Sequence, residues 1–275
     1  MYKIIADSSC DLKNFSGAAF ETVPLVLSTD EKTFVDDVSL DVPGFLDYLY
    51  SYHGRSYTAC PSVQSWLDAF EGADEIYAVT ITSGLSGTYA SAVTAQKQYQ
   101  AKHPEVKICI VDSLSTGPGL ALLIEKIAEW KAQGQSFDYV STEINAYQKS
   151  LRLFFCLQSL HNLAVNGRVS KLVASAIGIM NIRILGTAST KGTIEPVAKC
   201  RGDKKVLEKM MEEIEKCGYK GGKIRICHVE NQALAEMIIQ KIKERFGAID
   251  VKLIPARGLC SYYAERGGII LGLER

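Results

Sequence analysis

Four clusters of hydroxyl side chains punctuate this chain, and hydroxyls grouped at chain turns are suited to holding an anion. They are Asp7-Ser8-Ser9-Cys10-Asp11, Thr58-Ala59-Cys60-Pro61-Ser62, Thr82-Ser83-Gly84-Leu85-Ser86-Gly87-Thr88 and Asp112-Ser113-Leu114-Ser115-Thr116. Three follow short apolar runs, at Tyr2 to Ala6, Glu75 to Thr82 and Val106 to Val111, and the second precedes a helical run from Gln64 to Phe70. Each hydroxyl donates one hydrogen bond. A helix start adds free N–H groups and a positive dipole end. Together they match a carboxylate or a phosphate. Plain N-capping competes with this reading at every cluster, because Ser and Thr are favoured caps. Ser83, Ser86 and Gly87 make the strongest exception, since the glycines allow close backbone approach and both serines fall in one turn.

Other chemistries find less support. The run Gly84-Leu85-Ser86-Gly87 is one residue short of the G-x-S-x-G elbow. A nucleophilic Ser86 also needs a placed base. His228 is the one candidate, and it reads better as a capping or core histidine. Gly117-Pro118-Gly119 lacks the third glycine of a dinucleotide fingerprint, and a Walker A loop is missing. The eight cysteines form no C-x-x-C pair, and the four histidines are dispersed, so no metal site and no cofactor are expected. Several cysteines lie in apolar runs, as in Ile108-Cys109-Ile110, and suit a reducing cytosol. Lys plus Arg and Asp plus Glu are both 31, giving a formal net charge of zero and no sign of a nucleic-acid or membrane-surface partner. The chain opens on a strand-like run without a signal segment, and no apolar stretch approaches the length of a membrane span. A cytoplasmic location is expected.

The elements that must carry these residues fall into two rhythms. Strand and helix alternate up to about Ser150, which predicts a mostly parallel, doubly wound sheet. A helix is expected from Gly119 to Lys131 and another over Ser136 to Ser150 with Ser136 as its N-cap. In such a sheet the C-terminal strand ends converge on one edge, where ligands bind, so the hydroxyls should gather in one crevice. Beyond Ser150, strand-like runs occupy Arg152–Leu157, Ile182–Thr187, Thr193–Cys200, Lys223–Val229, Ile249–Pro255 and Gly268–Leu273, with helices over Asp203–Cys217 and Asn231–Phe246. Thr190-Lys191-Gly192 signals a hairpin, so this second sheet of about six strands is partly antiparallel. The fold class is thus α/β, with one domain over 1–150 and a second over 151–275. Asp30 to Ser56 reads as a long irregular connection that could lie over a site.

With these residues in hand, the chain resembles the DegV family, which includes the fatty-acid-binding subunits of bacterial fatty acid kinase. The resemblance covers nearly the whole length. It is carried by Asp7-Ser8-Ser9-Cys10-Asp11-Leu12, Val23-Pro24-Leu25, Thr58-Ala59-Cys60-Pro61-Ser62, Ser83-Gly84-Leu85-Ser86-Gly87-Thr88-Tyr89 and Val111-Asp112-Ser113. In the second half it continues with Ser159-Leu160, Gly167-Arg168-Val169-Ser170-Lys171, Asn181-Ile182-Arg183 and Lys199-Cys200-Arg201-Gly202. Each piece is weak alone, and their order and spacing are specific together.

The resemblance implies a non-catalytic protein that encloses one long-chain fatty acid between its domains. The carboxylate would sit near Thr58 and Ser86, with Ser83 and Gly87 beside it and Ser62, Cys260 and Ser261 as candidate headgroup neighbours. Arg201 matches an arginine that faces the kinase, so a fatty acid kinase catalytic subunit is a candidate partner. Burying a tail of about 16 carbons, at roughly 0.8 kcal/mol per CH₂, is worth on the order of 12 kcal/mol before ordering costs. The tail then supplies affinity and the hydroxyls orient the headgroup. One segment departs from the family. Where Gly-x-His-x-Gly-Pro-Gly is usual, the chain reads Gly258-Leu259-Cys260-Ser261-Tyr262-Tyr263-Ala264. A neutral Cys260 is a poorer donor than histidine, and the two tyrosines could supply O–H donors or wall off the headgroup. Ligand retention is expected to survive this change better than phosphate transfer. Two other readings compete: a hydrolase or acyl transferase using Ser86, and a regulatory module for another small anion.

Overall fold

The computed structural model describes residues 1–169 and 181–275, so Ser170 and Lys171 of the motif above lie outside the described residues. The first half is built on four parallel strands, β1 (Tyr2–Asp7), β2 (Ala19–Val23), β6 (Glu75–Thr80) and β7 (Lys107–Asp112), in the order β2-β1-β6-β7. Alternate residues serve opposite faces. Ile4, Ala6, Tyr77, Val79 and Val111 pack under helices α4 (Pro118–Ala132) and α5 (Phe137–Ser150). Ile5, Ile76, Ala78 and Ile108 pack under α2 (Val63–Phe70) and α3 (Thr88–Lys102). The sheet is therefore doubly wound, as expected. Ser136 caps α5 by accepting from the Tyr139 N–H.

The chain passes from α5 directly into β8 (Leu151–Leu157), the first strand of a six-stranded mixed sheet. Its other strands are β9 (Ile182–Ala188), β10 (Ile194–Arg201), β11 (Ile224–His228), β12 (Val251–Pro255) and β13 (Ile269–Glu274). The order is β10-β9-β8-β13-β11-β12, antiparallel except for the β11–β12 pair. The β9–β10 hairpin turns through Gly192, at φ +70°, where the Thr190-Lys191-Gly192 signal placed it. Helices α7 (Asp203–Lys216) and α8 (Gln232–Phe246) cover one face.

Helix α4 lies between the two sheets and touches both. Residues Pro118 to Ile124 are all buried, the pattern of a helix with apolar neighbours on every side. Its approach to the second sheet requires Gly272, because a Cβ there would lie 2.9 Å from the Pro118 carbonyl carbon. No helix among the described residues is long and apolar enough to cross a membrane.

The stretch from Asp30 to Ser56 corrects the expectation of an irregular connection. Strands β3 (Val26–Thr29), β4 (Thr33–Val35) and β5 (Ser56–Ala59) form a small antiparallel sheet, and α1 (Val42–Ser51) follows β4. The strands are only three or four residues long, and Gly44 in the first turn of α1 weakens its helical pattern despite the Pro43 start signal. A further short helix, α9 (Gly258–Ala264), packs against α1, while α6 (His161–Val165) stands beside it.

Candidate functional site

Residues at the strand ends of the first sheet, on one face of the second sheet and on α9 line one cleft. Its volume is about 810 Å³, part of it open to solvent. Apolar side chains form most of its wall, among them Leu25, Ile81, Leu153, Phe155, Leu157, Leu163 and Ile270. Its polar lining includes Thr58, Ser86, Arg168 and Tyr263, with the hydroxyls of Thr82, Ser115, Thr116, Thr187 and Thr193 also on the wall. An apolar cleft with a few convergent polar groups is the usual form of a small-molecule site.

Two consecutive tyrosines on α9 meet two hydroxyls on one face of β5. The Tyr263 hydroxyl lies 2.8 Å from Thr58 Oγ1, and the Tyr262 hydroxyl 2.7 Å from Ser56 Oγ. Ser56 and Thr58 are two residues apart, so the strand presents both to the same side. Tyr262 also accepts from Asn166 Nδ2 at 2.9 Å. The Arg168 guanidinium stands 5.8 Å from the centre of the Tyr263 ring, within cation–π range, and its Nε donates to the Leu85 carbonyl at 3.2 Å. Burial raises the Tyr263 pKa, so its phenol remains a donor. The site therefore offers hydroxyl donors and one fixed cation on the wall of a mainly apolar cleft, a combination suited to a carboxylate.

The residues singled out from sequence separate into groups. Thr58, Ser86 and Cys260 line this cleft. Ser86 Oγ is 2.8 Å from Thr88 Oγ1 and accepts from the Thr88 N–H, so part of its role is to shape the start of α3. Ser83 and Gly87 are exposed beside it; the Ser83 N–H donates to Asp112, and Gly87 is the N-cap residue of α3. Ser62 is exposed and caps α2 by accepting from the Ser65 N–H. Ser261 is buried and borders a neighbouring cleft with Ser56 and Tyr262. Arg201 is exposed at the end of β10, away from the cleft lining. Two lining residues were missed as site residues: Arg168, noted only inside a motif, and Tyr263, noted as a replacement. Their signal was the Gly-Arg dipeptide and the O–H donors of the tyrosine pair.

Helix α9 is held in place from the first half of the chain. Asp36 accepts from the Gly258 and Leu259 N–H groups, each at 2.9 Å, and Asp11 accepts from the Arg257 N–H at 2.7 Å. Two distant carboxylates thus do what a local N-cap would do. Burial pushes the Asp11 carboxyl up to about 7 and that of Asp7 up to about 6. Cys227 Sγ lies 3.1 Å from Asp11, and Cys260 Sγ lies 3.4 Å from both Thr116 Oγ1 and the Ser9 carbonyl. Burial also keeps the Cys260 thiol protonated. His228, the base candidate for Ser86, accepts from the Asn231 N–H and is not among the cleft-lining residues.

The DegV family profile, described as an uncharacterised protein family, matches residues 1–272. A DegV domain-containing protein of Streptococcus pneumoniae is 42% identical over 277 residues, covering 99% of each chain. Among solved structures, a DegV family protein from Eubacterium eligens loaded with heptadecanoic acid superposes with a TM-score of 0.98 at 51% identity, over 100% of this chain and 99% of its own. The Streptococcus pneumoniae Fatty Acid Kinase (Fak) B3 protein loaded with linoleic acid gives 0.97 at 42% identity, with the same coverage. A DegV family protein from Ruminococcus gnavus refined with vaccenic acid gives 0.90 at 28% identity, over 99% of each chain. The chain belongs to the DegV family.

Proposed function

We propose that this chain binds one long-chain fatty acid, with its tail in the apolar cleft and its carboxylate at Thr58, Ser86, Tyr263 and Arg168. Residues 1–150 and 151–275 act as two domains that close on the ligand through α9. The observation that carries the reading is the joining of an apolar channel to the Thr58–Tyr263 hydroxyl pair, with the Arg168 cation beside it. The tail supplies the affinity, and the headgroup contacts fix direction and register. Relatives loaded with heptadecanoic, linoleic and vaccenic acids support the same ligand class.

The protein is a carrier and not a catalyst. Ser86 has Thr88 as its hydroxyl partner, and no histidine stands among the described residues lining the cleft. The likeness to a Fak B3 protein supports presentation of the carboxylate to a fatty acid kinase subunit. Organic extraction of purified protein is expected to yield stoichiometric fatty acid, and delipidated protein to take up oleate or palmitate. Failure of both would end the carrier reading. The Thr58→Ala, Ser86→Ala double variant should bind more weakly, since a hydrogen bond to a charged group contributes roughly 1.5–3 kcal/mol. Hydrolase activity lost on Ser86→Ala would favour the enzyme reading instead. Loaded protein mixed with a bacterial fatty acid kinase and ATP tests hand-over, with acyl phosphate as the readout.

A further inference from the structure

Phe155 and Gly186 face each other as direct partners across the β8–β9 pairing. Phe155 lines the cleft and is 6% exposed. The space that a side chain on Gly186 would occupy is filled by the Phe155 ring. A Cβ built on Gly186 would lie 2.1 Å from Cζ and 2.4 Å from Cε2 of that ring. The ring therefore lies over its cross-strand glycine and along the sheet. The same Cβ would lie 2.8 Å from the Glu195 carbonyl oxygen on β10, beside the register shift between Pro196 and Ala198.

We infer that Gly186 sets the tail capacity of the cleft: it gives the Phe155 ring a place to lie, and the channel above then accepts a long, unbranched acyl chain. This rests on the reading of the cleft as a fatty-acid site. Any side chain at 186 turns the ring off β9. Ile270, its partner on β13, is itself buried and blocks the opposite flank. Leu153 and Leu157 stand two residues away on the same face and block movement along β8. The direction left is into the cleft. Close-packed interiors do not absorb a displaced ring elsewhere. A ring standing in the channel shortens it, and shorter tails still fit.

The test uses delipidated full-length protein and a competition series of decanoate, laurate, myristate, palmitate and stearate. Wild type is expected to favour palmitate and stearate. Gly186→Ala is expected to lose about tenfold or more on stearate, with decanoate and laurate changed by no more than about twofold. Phe155→Leu removes the ring without crowding β10, so it keeps the proposal testable should Gly186→Ala fold poorly. It is expected to admit a methyl-branched acid about tenfold better than wild type does, and the double variant should recover stearate binding. A Phe155→Leu profile unchanged in both length and branching overturns the proposal, whatever Gly186→Ala does. So does an equal loss across all lengths in folded Gly186→Ala. A wild type that takes no fatty acid overturns the reading of the cleft itself, whereas binding with one flat profile in every variant overturns only the role of Gly186.

Discussion

The phenol oxygen of Tyr263 stands 2.8 Å from Thr58 Oγ1, which joins a helix near the C-terminus to a strand of the small N-terminal sheet. Both residues line the cleft, and the pairing leaves each hydroxyl with spare capacity, since a hydroxyl has one donor and two acceptor sites. Tyr263→Phe removes a donor and keeps the ring within cation–π range of Arg168. Its expected effect is a loss of about 1.5–3 kcal/mol in fatty-acid affinity, near tenfold or more, in a titration with palmitate. Thr58→Ala should cost a similar amount, and the double variant less than the sum, because the two groups share one contact. Strict additivity would mean that they hold the ligand independently.

Arg201 ends β10 on the surface, in the run Lys199-Cys200-Arg201-Gly202, and does not line the cleft. Arg201→Ala is therefore expected to leave palmitate affinity within about twofold of wild type, as for a surface change. Its effect should fall on acyl-phosphate formation with a fatty acid kinase. Loss of fatty-acid binding in this variant would place the arginine in the pocket and reverse the assignment.

The parts of the fold written in local pattern were readable. The short apolar runs at Ile4-Ile5-Ala6 and Ile76–Val79, the Ser136 cap and the Thr190-Lys191-Gly192 turn each act within a few residues, so the doubly wound sheet and the mixed sheet followed from sequence. Thr58 and Ser86 were readable as hydroxyls at chain turns. Helix α9 was not. Its own N-cap, Arg257, makes no side-chain cap, and the groups that accept from Gly258 and Leu259 belong to Asp36, more than 220 positions earlier. Arg168 escaped for the same reason: its pairing with Tyr263 exists only after α9 has docked. The cysteine at 260 suggested a weaker donor at the headgroup, whereas the structure turns its thiol toward Ser9 and Thr116 and places Tyr263 beside Thr58.

Asp11 makes a pH prediction whose sign is set by burial. Its carboxyl is raised to about 7 in the folded chain, above the usual carboxylate value of about 3.9 in the unfolded one. Between those values the folded state holds a proton that the unfolded state has released. Its contribution to stability is therefore full below about pH 4 and declines as pH rises through about 7. Asp11→Asn keeps an acceptor for the Arg257 N–H and removes the titration. The melting temperature of the variant relative to wild type is expected to rise between about pH 5 and about pH 8. A difference that stays level across that range would show that Asp11 remains ionised throughout.

Arg225 ties helix α4 to the second sheet. Its side chain is fully buried on β11, with Nε 2.8 Å from Glu125 Oε1 and Nη1 3.0 Å from Asp250 Oδ1. Glu125 is 13% exposed, so little water is available to replace the guanidinium, and Lys252 reaches only one of its oxygens, at 3.3 Å. Removing one member of a buried pair leaves the other charge uncompensated, which typically costs about 3–5 kcal/mol. Arg225→Ala should therefore lower the unfolding free energy measured by urea titration by an amount in that range, with the Lys252 contact pulling it toward the lower end. Exchanging both partners for apolar groups avoids the stranded charge, so Arg225→Met with Glu125→Leu is expected to recover most of the loss. Asp250 is half exposed and stays solvated in both variants. A single variant that costs less than about 1 kcal/mol would show that apolar packing of α4, and not this bridge, joins the sheets.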